Sequence, residues 1–166
     1  MKRFKKWFKQ IKIKLTEIKN ERNAMLFQKK IAYCGNNLQL FGNPEISFPQ
    51  NLKIGDGCKI NSGVYINARS GVTIGDDVTL SHGVNLISTG YDVDHWINTG
   101  EKTHVTDSPV FIGNHCWIGT NAIILPGVKI TGEYVVIGAG AVVTKDITES
   151  KVLFAGVPAK KTKNFD

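Results

Sequence analysis

Long apolar runs are missing from this chain: nowhere in its 166 residues stand the roughly 18 to 20 consecutive apolar residues of a membrane span. Nothing after the charged start reads as a cleavable signal. Cysteine is scarce, at Cys34, Cys58 and Cys116. The number is odd and no metal-ligand spacing joins them, so free buried thiols in a reducing cytoplasm are expected. Proline is low at 5 while glycine reaches 17, which excludes collagen and points to many tight turns. The length suits one domain and leaves no room for a second catalytic unit.

Net positive charge is also missing from most of the chain, although the total is +7. The first 30 residues hold eleven Lys or Arg against Glu17 and Glu21, a net +9, which leaves −2 for the other 136. A nucleic-acid-binding body is therefore disfavoured. Within the basic segment Phe4, Trp7, Phe8, Ile11, Leu15 and Ile18 recur at intervals of 3, 1, 3, 4 and 3. That spacing predicts an amphipathic helix over residues 1–31. Two roles stay open for its stripe: packing on the rest of the protein or a neighbouring subunit, or resting residues 1–30 on an anionic membrane surface.

From residue 52 the pattern changes. Ile54, Ile60 and Ile66 stand six apart, as do Ile74, Leu80 and Leu86, then Ile112, Ile118, Ile124 and Ile130, then Ile137 and Val143. Four residues after most of them comes a second, small residue, such as Cys58, Val64, Val78, Cys116, Ala122 or Ala141. Gly-Asp or Gly-Asn often follows the aliphatic residue, as at Ile54-Gly55-Asp56 and Ile112-Gly113-Asn114, and is read as turn backbone. A hairpin sheet has period two and variable turns, so it cannot hold a period of six with glycine in phase. Three such units close a triangular coil, and stacked coils carry continuous aliphatic ladders inside.

The C-terminal half holds more particular motifs. They are Ile112-Gly113-Asn114-His115-Cys116-Trp117-Ile118-Gly119, Ile124-Leu125-Pro126-Gly127-Val128, Ile137-Gly138-Ala139-Gly140-Ala141-Val142-Val143-Thr144-Lys145-Asp146 and Ala155-Gly156-Val157-Pro158-Ala159-Lys160. In this order, within residues 50–163, they resemble the hexapeptide-repeat acetyltransferases, in the galactoside, maltose and polysaccharide O-acetyltransferase branch. The resemblance implies an all-β solenoid: a left-handed parallel β-helix over residues 32–163 with a protruding loop at 88–109, against the usual right-handed crossover. It also implies a homotrimer with sites in the grooves between subunits, and acetyl-CoA as co-substrate without a metal. Carried over motif by motif, the cofactor contacts fall on Thr120, Ala139, Thr144 and Lys145, with Lys160 and Lys163 in the tail where relatives often have arginine. Lysine keeps the charge for the phosphates but lacks the bidentate fork. Asn67 matches an acceptor contact, and Trp117 and Trp96 could stack on a pyranose face.

Between Leu86 and Val110 the hexads stop, and residues 88–108 are polar. An excursion of about 20 residues from a regular solenoid is costly to order and usually functional. Acetyl transfer to a hydroxyl needs a base, and neutral imidazole suits that task. In the family that the motifs resemble, a histidine follows the Thr-Gly that leaves the coil; here Thr89-Gly90 is followed by Tyr91. The candidates to replace it rank His104, His95 and His82. His104 lies shortly before Pro109, where the loop rejoins the coil, so converging loop ends could bring it to Tyr91. Asp92 or Asp94 could orient the imidazole. Tyr91 and Asp92 join Asn67 and Trp117 on the acceptor side, His115 reads as structural, and backbone amides are expected for the oxyanion.

The expectation is an acetyl-CoA-dependent O-acetyltransferase of a sugar or cell-surface polysaccharide precursor, cytoplasmic or peripheral at the inner face of the membrane. N-acetylation of an amino sugar or antibiotic and a catalytically inactive scaffold are the alternatives. A lyase resembling the γ-carbonic anhydrases is disfavoured, because His82, His104 and His115 lack the spacing of a three-histidine metal site.

Overall fold

The computed structural model describes residues 2–105 and 107–166, apart from the side chains of Lys2, Arg3, Lys5, Lys6, Phe8, Glu17 and Asn20 in the N-terminal helix. The expected loop includes Thr106, which lies outside the described residues, as does Met1. Short strands of two to five residues stack into a left-handed parallel β-helix of about 6 turns. Its three faces are sheets of five, seven and five strands. The first face runs Tyr33–Cys34, Leu52–Ile54, Val72–Ile74, Val110–Ile112, Lys129–Ile130. The third face runs Glu45–Ser47, Tyr65–Asn67, Asn85–Ile87, Ile123–Ile124, Val142–Val143. The second face starts at Gln39–Phe41 and ends in an antiparallel pair, Val152–Ala155 with Lys160–Asn164.

The hexad residues are what the coils share. Ile54, Ile74, Ile112 and Ile130 are paired in register on the first face. Ile60, Leu80, Ile118 and Ile137 form the second ladder, and Ile66, Leu86, Ile124 and Val143 the third. All twelve are buried at 2% exposure or less. At about 1.5–3 kcal/mol for each fully buried aliphatic side chain, these ladders are the main source of cohesion. The coil begins earlier than the hexads from residue 52 suggest: Cys34, Leu40 and Ile46 already occupy the inward positions of a first turn.

The turn glycines have a different task from the one read in the sequence. Gly35, Gly55 and Gly75 do not adopt positive φ; that falls two residues later, at Asn37, Gly57 and Asp77, and again at His115 and Tyr134. These three glycines are needed because a Cβ would strike the Asp or Asn side chain of the next coil. That side chain caps the coil below: Asp56 Oδ1 accepts from Asn36 N at 2.6 Å, Asp76 Oδ1 from Asp56 N at 2.8 Å, and Asn114 Oδ1 from Asp76 N at 3.0 Å.

Helix α1, Lys2–Gln28, precedes the prism. Its last turns cover the open end of the first coil through Ala24 and Phe27, which join the core cluster with Leu38 and Leu40. The predicted stripe does not take part: Phe4, Trp7, Leu15 and Ile18 are all more than half exposed. The side chain of Phe8 lies outside the described ones. No described helix is long and apolar enough to cross a membrane.

Candidate active site

A long excursion leaves the coil at the edge where the third face of the third turn passes to the first face of the fourth. Strand Asn85–Ile87 ends there and Val110–Ile112 begins on the far side of the loop. Buried Ser88 and Ser108 fasten its base: Ser88 Oγ donates to Asn67 O at 2.8 Å, and Ser108 Oγ to Ser88 O at 2.9 Å. Thr89 Oγ1 donates to Val105 O at 2.9 Å, Val105 N to Gly90 O and Asp92 N to Thr103 O. The two arms of the loop therefore form a short antiparallel stem.

That stem brings Tyr91 and His104 together. They face each other as a β-bridge, and their rings stack with centroids 4.7 Å apart and planes inclined by 23°. Both side chains are exposed. The Lys102 ammonium lies 4.4 Å from the Trp96 ring centroid and 5.8 Å from that of Tyr91, so one face of Trp96 already carries a cation.

Beyond the stem, helix α2, Val93–Thr99, begins at Asp92, whose Oδ1 accepts from the His95 backbone N at 2.9 Å. Asp92 thus serves as the helix cap, the common task of Asp at this position. His95 is turned inward, and its Nε2 is buried with no hydrogen-bond partner. That nitrogen is closed to an incoming hydroxyl in this arrangement and the residue is half-buried, whereas His104 is exposed.

The third face is the ground beside this stem. Tyr65, Asn85, Ile123 and Val142 are aligned along it, with Asn67 opposite Ile87 at its margin. Asn67 Oδ1 accepts from Arg69 N at 3.2 Å, and its carbonyl holds Ser88, so it is fixed where the loop departs. Thr144 and Lys145 follow Val143 on the same edge as the loop, two coils further on, and are exposed.

The opposite edge of the third face carries a second group. Pairing of Leu80 with Ile118 and Ile118 with Ile137 places His82, Thr120 and Ala139 above one another. Thr120 O accepts from Gly140 N at 2.8 Å, and Gly140, at φ +67°, has open space where a Cβ would be. Such a bare corner allows an extended ligand to approach the main chain closely. Lys160, paired with Ala155, belongs to this edge; Lys163, paired with Leu153, lies across the second face with its Nζ 5.0 Å from the ring of Phe165. Trp117 is outside on the second face, 55% exposed, its Nε1 donating to Ser81 Oγ at 2.9 Å.

The remaining histidines are held by neighbours. His82 Nδ1 is 3.1 Å from Ser62 Oγ. His115 stacks on Tyr134 at 4.6 Å and its Nδ1 stands 3.5 Å from Asp77. His82, His104 and His115 thus stand on three different edges of the prism and converge on no point. Burial pushes the Cys58 and Cys116 thiols up to about 11 and raises that of Cys34, so none is a ready thiolate. Concavities also lie away from the loop stem, among them about 350 Å³ between α1 and the first coil and about 370 Å³ beside His115, Tyr134 and Phe165.

Known proteins bear on this arrangement. The pattern described as bacterial transferase hexapeptide (six repeats) matches residues 109–145, and that of the hexapeptide repeat of succinyl-transferase matches residues 52–68. Galactoside O-acetyltransferase of Escherichia coli (strain K12) is 36% identical over 140 residues, covering 84% of this chain and 67% of that protein. WbbJ of the same strain, named as a candidate O-acetyl transferase of lipopolysaccharide biosynthesis, is 31% identical over 164 residues, covering 90% of this chain and 76% of its own. The solved structure of a galactoside acetyltransferase in complex with coenzyme A superposes with a TM-score of 0.79 at 35% identity, covering 88% of this chain and 71% of that one. The chain belongs to the hexapeptide-repeat acetyltransferases.

Proposed function

We propose that the protein transfers the acetyl group of acetyl-CoA to a hydroxyl of a sugar or cell-surface polysaccharide precursor, with His104 as the base. The observation that carries this reading is the exposed imidazole stacked on Tyr91 beside the third face. The resemblance implies a histidine after Thr-Gly; here Tyr91 holds that place and His104 faces it from the other arm of the stem. The galactoside and lipopolysaccharide relatives support a saccharide acceptor.

The His104 imidazole takes the hydroxyl proton as the oxygen attacks the thioester carbonyl carbon. The tetrahedral oxyanion collapses, the carbon–sulfur bond breaks, and the imidazolium returns its proton to the departing thiolate, leaving an ester and free CoA. Transfer is direct, since the three thiols are protonated and Cys58 and Cys116 are buried in the core. Thr120 and Ala139 offer main chain to the pantetheine arm, Lys160 and Lys145 offer charge to the phosphates, and Asn67 contacts the acceptor. A site spread over an open face gains walls when a neighbouring subunit covers it, which supports a trimer with the grooves between protomers as sites. Free cysteines suit a reducing, cytoplasmic setting.

The test is incubation of the full chain with acetyl-CoA and a panel of saccharides and amino sugars, reading thiol release and product mass. An alkali-labile ester is expected. Alkali-stable amides as the sole products, or no thiol release with any acceptor despite acetyl-CoA binding, would contradict the reading.

A further inference from the structure

The direction in which α1 faces separates the two roles its stripe could have. At about 100° per residue, Phe4, Trp7, Ile11, Leu15, Ile18 and Met25 fall within an arc of about 80°. Ala24 and Phe27, which hold the helix to the prism, point about 140° to 160° away from the centre of that arc. The stripe therefore looks away from its own protomer along a helix of 27 residues, about 40 Å long. Leu15, Ile18 and Met25 are 62%, 53% and 64% exposed. Lys12 and Lys19 lie on one flank of the stripe and Lys14 on the other, all exposed.

We infer that this face of α1 lies on an anionic lipid surface. The charge selects that occupant: the first 30 residues carry a net +9 while the rest of the chain carries −2. Aliphatic and aromatic side chains enter the acyl boundary, and the flanking lysines meet the headgroups with their stems along the apolar layer. A second copy is the competing occupant. Joining stripes between copies would bring two or more +9 segments together without a counter-charge, whereas anionic headgroups supply one. The helix is too polar to span a bilayer, so the contact is peripheral. This inference does not depend on the chemistry at His104.

The experiment is co-sedimentation of the full chain with vesicles of phosphatidylglycerol and phosphatidylcholine, or of phosphatidylcholine alone, at low and high salt. Wild type is expected to pellet with the anionic vesicles at low salt and to be released by salt or by removal of the anionic lipid. L15D/I18D is expected to lose at least about tenfold in bound fraction at unchanged circular dichroism and sedimentation coefficient. I13D/T16D, two exposed positions on the opposite side of the helix, serves as the charge-matched control and keeps binding. Wild type that stays in the supernatant with anionic vesicles overturns the inference. So does L15D/I18D that binds like wild type, or that sediments as a smaller species, which would make the stripe a contact between copies.

Discussion

The ring of Tyr91 stacks on the imidazole of His104, 4.7 Å between centroids, although twelve residues of loop separate them in the chain. The stack sets the plane of the imidazole, and both side chains remain exposed. Tyr91→Phe keeps that surface and is expected to retain kcat within about twofold, whereas Tyr91→Ala frees the ring and lowers kcat about tenfold with KM for acetyl-CoA little changed. Steady-state kinetics of both variants checks this. An equal loss in both would mean that the phenol hydroxyl, not the stack, matters.

The tail lysines are separable. Lys160 stands at the edge with Ala139, and Lys163 lies across the second face over Phe165. Lys160→Ala is expected to raise KM for acetyl-CoA about tenfold, the scale of one charge-assisted contact, and Lys163→Ala to change it less than about twofold. Initial rates against acetyl-CoA concentration decide between them.

Coil-to-coil capping gives a stability prediction. Asp76 Oδ1 holds the backbone N of Asp56, and Asn114 does the same for Asp76 one coil on. Asp76→Ala is expected to cost about 1 kcal/mol, while Asp76→Asn keeps the acceptor and costs little. Urea unfolding midpoints measure both.

The buried thiols set a pH dependence. Burial raises Cys58 and Cys116 from 9.0 to about 11. Below about pH 9 both folded and unfolded chains keep these protons; above it the unfolded chain loses them first, so stability falls as pH rises from about 9 to about 11. Denaturant midpoints should drop over that window, and C58A/C116A should flatten the slope even if it lowers the plateau.

Much of the prism was legible because one aliphatic residue in six is a strict demand: Ile74 and Ile112 each have an isoleucine above and below. The first coil was harder to read, because Cys34 is the smallest of its inward residues and Pro44 and Phe48 interrupt its turns. The Asp and Asn capping ladder joins residues 20 apart in adjacent coils, or 38 apart across the loop, a relation that no local spacing displays. Strand Lys160–Asn164 carries no apolar alternation, being an exposed edge strand on the second face. At the site, the convergence of loop ends on Tyr91 could be anticipated from His104 and Pro109. The inward turn of His95 could not, since it depends on how Asp92 starts α2. Nor does a stripe in the sequence say which way α1 faces; only the seating of Ala24 and Phe27 does.

The most direct test of the chemistry compares acetyl-CoA-dependent thiol release by wild type, His104→Ala and His95→Ala with a saccharide that wild type acetylates, at matched circular dichroism and acetyl-CoA binding. Loss of about 10² to 10⁴ in kcat for His104→Ala, with His95→Ala far less affected, is the predicted result. Full activity in His104→Ala would contradict the account and move the base elsewhere.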